Sequence, residues 1–102
     1  MITDIDVATK FMSLKHSAQS RGIEFGLSLS RVRQLLNTRR CYFTRLPFEQ
    51  EGPFARSIDR IDSSRGYVDD NVVACTIEIN RRKSDLTLKE IECLYRGMIR
   101  KA

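Results

Sequence analysis

No apolar run in the chain approaches the roughly 20 residues that a membrane-spanning helix needs, so no such span is expected. Asp4 and Asp6 interrupt the opening stretch, which carries no signal-peptide pattern. Cysteine is sparse: Cys41, Cys75 and Cys93 are odd in number and widely spaced. That usage points away from a disulfide framework and towards reduced thiols in a cytoplasm. Histidine occurs once, at His16, beside an apolar stripe. A lone histidine there is more often a surface or satisfied side chain than a ligand, and it is assigned no catalytic role. Internal repeats and low-complexity segments are lacking as well. Acid is missing from one long stretch: none stands between Glu24 and Glu49.

That acid-free stretch holds Arg31, Arg33, Arg39, Arg40 and Arg45. Over the whole chain, 18 Lys+Arg against 13 Asp+Glu give a net charge of +5. Arginine makes up most of the basic residues, and its planar fork suits phosphate, which favours a nucleic-acid partner over a membrane. Composition alone leaves a merely soluble basic surface as the alternative. Likewise, an isolated charge run is more safely read as a solvated helix face than as a phosphate track. With 102 residues the chain is expected to form one small domain with a modest core.

Helical signals come first. Thr3 is a candidate N-cap, with Asp4 and Asp6 placed for the helix dipole. Val7, Phe11, Leu14 and Ala18 recur on one face, and Gly22 supplies a stop. Ser28 or Ser30 caps a second helix that carries Val32, Leu35 and Leu36 inward. Cys41 to Phe43 reads as the first strand of a β-hairpin reaching to about Ile61, with a turn at Arg45-Leu46-Pro47 and a loop over Glu49 to Pro53. At the far end, Thr87 and Glu90 form a Thr-x-x-Glu capping box. Leu88, Ile91, Leu94, Tyr95 and Met98 follow as an apolar stripe, expected to close the core; Cys93 is read as a core residue.

Ser57 to Lys83 is the stretch around which the chain is organised. Ile58 and Ile61 flank Asp59 and Arg60 in a β-prone run. Arg65-Gly66-Tyr67 makes a turn, with Gly66 available for a positive φ. Asp69-Asp70-Asn71 offers caps to a helix expected from near Val72 to about Lys83. Strand, loop and helix would bring Asp59 and Asn80 towards a common point, and their oxygens suit a hard divalent cation.

Ser57 to Asp62, Gly66-Tyr67, Asn71 to Val73 and Asn80 to Asp85, together with Cys41 to Thr44, resemble the HNH (ββα-metal) nucleases, closest to a phage-type branch. The resemblance covers about half the chain. It implies an α+β fold, with two N-terminal helices over 1–38, a ββα-metal core over 39–85 and a C-terminal helix over 86–102. It also implies a DNA endonuclease that hydrolyses phosphodiester bonds with Mg2+ or Mn2+, in a bacterial host cytoplasm if phage-encoded. Carried over, Asp59 and Asn80 match the metal ligands, and Asn71 the asparagine that fixes the loop. Arg60 stands where the family has its general-base histidine. A guanidinium stays protonated and cannot act as the base, so Arg60 is expected to assist only electrostatically, turned from the ion because like charges repel. Asp62 is the nearest substitute base, or else a cap for the turn at Ser63-Ser64. DNA contacts are expected from Arg31, Arg33, Arg39, Arg40, Arg45, Arg81, Arg82 and Lys83. Zinc-bearing relatives pair Cys-x-x-Cys with Cys-x-x-Cys, but this chain has Cys41/Thr44 and Cys75/Glu78, so no structural zinc is expected. Loss of the histidine keeps a second reading open: a catalytically inactive module that binds DNA or a host protein.

Overall fold

A computed structural model of the chain describes residues 1–100. Among them lie four α-helices and two small sheets of two strands each, an α+β arrangement. Helix α1 (Asp4–Ser20) opens with a complete capping box in which Thr3 and Asp6 satisfy each other's backbone N–H groups. Gly22 just beyond it has φ 67°, the left-handed conformation that ends a helix. Helix α2 (Leu29–Asn37) is capped by Ser28, whose hydroxyl accepts from Arg31 N–H. Val7, Leu14 and Ala18 of α1 pack with Val32 and Leu35 of α2 in one buried cluster that also takes in Ile58, Tyr67, Val72 and Ala74.

Two strands form the centre of the molecule. β2 (Arg56–Arg60) runs antiparallel to β4 (Val72–Thr76), with Asp59 opposite Val73 and Ser57 opposite Cys75. A second, parallel pair joins β1 (Phe25–Gly26) to β3 (Tyr67–Val68). Helix α3 (Ile77–Lys83) follows β4 directly, and Thr76 caps it through Ile79 N–H. Helix α4 (Leu88–Ile99) has the Thr87/Glu90 capping box expected of it.

Three expectations are corrected. The stretch from Val72 to Thr76 is a strand and not the start of a helix. All five residues are buried, and Val72-Val73 suits a strand enclosed on both faces better than a helix turn. The hairpin is consequently β2 with β4, and not one beginning at Cys41. Cys41 to Thr44 forms a tight turn instead: Arg45 N–H donates to Cys41 O, Cys41 N–H to Leu46 O, and Tyr42 N–H to Ala74 O, each at 2.9 Å. Third, the apolar stripe of α4 does not close the core. Leu88, Leu94, Tyr95 and Met98 are all exposed, Ile91 is only half-buried, and Cys93 is exposed too.

Gly66 has a use other than a positive φ, which occurs at Gly22 and Gly52 and not there. A Cβ on Gly66 would lie 2.5 Å from Glu24 O. The absent side chain lets Tyr67 N–H reach that same carbonyl at 2.8 Å and bring β1 to β3.

Candidate functional site

Two periodicities meet where α3 lies on β2. Ser57 and Asp59 are two apart on a strand and share a face. Asn80 and Lys83 are three apart on a helix and lie one turn from each other. Asn80 Nδ2 donates to Ser57 Oγ at 2.8 Å, and Lys83 Nζ stands 3.1 Å from Asp59 Oδ2. Lys83 Nζ also donates to Arg60 O at 2.8 Å. The side chains of Lys83 and Asp59 are only 8% and 10% exposed, so this is a buried ion pair. Apart from that ionic contact, Asp59 Oδ2 is buried without a hydrogen bond. Burial pushes the Asp59 carboxyl above the ordinary carboxylate range, against the opposing pull of Lys83.

Asn71 fixes the loop between β2 and β4. Its Oδ1 accepts from Asp62 N–H at 3.0 Å, and its Nδ2 donates to Asp62 O at 3.1 Å and to Gly66 O at 2.9 Å. The residue is 1% exposed, so these bonds satisfy polar groups that water cannot reach. Arg60 is committed to the same loop, donating to Ser63 O and Arg65 O and lying 5.4 Å over the Tyr67 ring. Asp62 caps the turn: its Oδ1 accepts from both Ser64 N–H and Ser64 Oγ. Those two bonds hold its carboxyl below the usual range, which makes it a poor proton acceptor.

The arginines divide by partner. Arg31 is structural, donating to Asp69 O and Val72 O. Arg33 pairs with Asp4, and Arg82 with Glu78. Arg40 donates to Arg45 O, and Arg45 lies 5.7 Å from the centre of the Tyr42 ring. Arg39, Arg40, Arg45 and Arg81 form no ion pair among the described residues. Three of these four, Arg39, Arg40 and Arg45, flank the Cys41–Thr44 turn, whose tip exposes Tyr42 and Phe43. Lys83, expected on DNA, is instead buried against Asp59.

Beneath that turn the two buried thiols differ. Burial raises Cys41, but hydrogen bonds from Thr44, Thr76 and Phe43 outweigh it and bring the thiol down to about 7. Burial, with Asp59 and Cys41 nearby, pushes Cys75 up to about 12.

A hard divalent ion takes several oxygen ligands. No three His, Cys, Asp or Glu side chains gather to hold one among the described residues. Of the two expected ligands, Asp59 already faces an ammonium, and the Asn80 amide is turned to Ser57 through its NH2 group. An ion at Asp59 would have to displace Lys83 from a buried position. As folded, the site does not fit the metal.

No family model and no solved structure matches the chain. Similarity is found to an uncharacterized 29.0 kDa protein in the dda-modA intergenic region of Enterobacteria phage T4. The two are 32% identical over 77 residues, which make up 74% of this chain and 31% of the phage protein. The likeness associates the chain with phage, at a distance. No helix among the described residues is long and apolar enough to cross a membrane.

The Lys83–Asp59 pair escaped sequence reasoning, and so did the structural use of Arg31. Spacing did hold a signal for the first. Asn80-x-x-Lys83 opposite Ser57-x-Asp59 is one helical turn facing one strand repeat, a match visible once β4 is placed correctly.

Proposed function

We propose that the chain is an HNH-like ββα module that binds DNA without cutting it. The order β2, loop, β4, α3 supports the HNH-like reading, with Asp59 on the first strand, Asn71 locking the loop and Asn80 on the helix. One observation carries the inactive reading: the Lys83 ammonium stands 3.1 Å from Asp59 Oδ2 in a buried pair. Arg60 and Asp62 are both bound to the loop, so neither is placed to take a proton from water. The DNA-binding surface is the turn bearing Arg39, Arg40 and Arg45, where uncompensated guanidinium groups stand beside exposed Tyr42 and Phe43. Gel-shift titration on duplex and single-stranded DNA, paired with plasmid nicking in Mg2+ or Mn2+, tests both halves. Binding with intact plasmid is the expected result.

A second reading, the metal-dependent endonuclease, is favoured by Asp59 Oδ2, a buried carboxylate oxygen without a hydrogen bond. It requires Lys83 to leave and a substrate phosphate to supply the missing ligands. Nicking that disappears in Asp59→Ala and Asn80→Ala would select it.

A further inference from the structure

Helix α4 is amphipathic, yet its apolar side lies open. Leu88, Ile91, Leu94, Tyr95, Met98 and Ile99 form one continuous arc along it. Leu94 is 53% exposed, Tyr95 62% and Met98 83%, while Ile91 alone is partly covered. Isolated apolar residues on a surface are ordinary, but a contiguous stripe over three helical turns marks an interaction site.

Charge identifies the occupant. Glu92 and Arg96 lie one turn apart along one edge of the arc and pair with each other at 2.5 Å. Acid thus occupies the N-terminal half of that edge and base the C-terminal half. A second α4 laid antiparallel places Glu92 against the second copy's Arg96 and Arg96 against its Glu92. The same arrangement opposes the two helix dipoles. A parallel pairing puts that edge on opposite sides of the seam in the two copies, where Glu92 and Arg96 would not meet across it. We infer that α4 is a self-complementary docking face, and that two copies of the chain associate through antiparallel α4 helices about a two-fold axis near Leu94 and Tyr95. A 12-residue helix is only about 18 Å long, so the contact falls at the small end of specific interfaces, and the dimer is weak and concentration-dependent.

Sedimentation-velocity runs on the full chain over a concentration series test this. A monomer–dimer equilibrium is expected, with Leu94→Asp abolishing the dimer. No side chain of α4 is fully buried within one copy, so Leu94→Asp should keep the parent's melting temperature at low concentration. Either Glu92→Arg or Arg96→Glu alone should weaken association about tenfold, and the double exchange should restore it. A chain that stays monomeric at every concentration would overturn the proposal and leave the face to a different protein. So would a dimer indifferent to Leu94→Asp, or single charge reversals that change nothing.

Discussion

At the level of single residues, the molecule turns on what Lys83 does to Asp59. An ion pair taken out of water gains little net stability over an apolar pair, but removing one partner strands the other charge. Lys83→Met should therefore destabilise the fold by about 3 kcal/mol, measured by urea unfolding, and Asp59→Asn added to it should recover a large part. The titration of Asp59 moves with it. Its folded pKa is raised above the ordinary carboxylate value, so its contribution to stability is full at low pH. That contribution is lost as pH rises through the folded value. Lys83→Met removes the main pull against burial and leaves only that of Arg60, so the Asp59 carboxyl resonance should titrate at higher pH than in the parent; no change would separate the two residues electrostatically. Asn71 presents a second residue-scale test. Its three hydrogen bonds are closed to water, and Asn71→Ala leaves the backbone groups of Asp62 and Gly66 without them. A loss of about 2–4 kcal/mol is expected in the same unfolding assay.

The elements show what was legible beforehand and what was not. Caps carry local information, so the starts of α1, α2 and α4 are legible from Thr3, from Ser28 or Ser30, and from Thr87; of the two serines, Ser28 is the cap. Val72 to Thr76 could not be placed by such signals. Asp69-Asp70-Asn71 looks like a helix cap, whereas the residues after it are a short apolar run, and periodicity does not tell a buried strand from a buried helix over five residues. Read as helix, Val72 to Thr76 leaves β2 without its partner and points the hairpin to Cys41, although Asp59, Asn71 and Asn80 keep their order of strand, loop and helix. For α4 the stripe was legible, but amphipathicity states only that a face is apolar, not that this chain covers it. The joining of β1 to β3 depends on one atom's absence. Gly66→Ala would drive a Cβ into Glu24 O, and an overpacking cost of about 1–3 kcal/mol is expected, with exchange protection lost first at Tyr67 N–H. An Ala variant as stable as the parent would show that the two segments part without cost.

Over the whole molecule, a net charge of +5 is distributed unequally in its effect. Acids or backbone carbonyls occupy Arg31, Arg33 and Arg82, and Lys83 is buried, so a good share of the basic groups serves the fold. Arg39, Arg40 and Arg45, which form no ion pair among the described residues, stand together at the turn between α2 and β2. Arg39→Glu with Arg40→Glu should weaken DNA binding by about tenfold or more at low salt and flatten the dependence of affinity on salt, because fewer counterions are released. Unchanged affinity and slope would move the DNA surface elsewhere. The central claim, that Lys83 has closed an HNH-like site, faces its most direct test in a plasmid assay. Supercoiled plasmid saturated with the protein in Mg2+ or Mn2+ is expected to remain supercoiled for wild type and for Asp59→Ala alike; wild-type nicking that Asp59→Ala abolishes would contradict it.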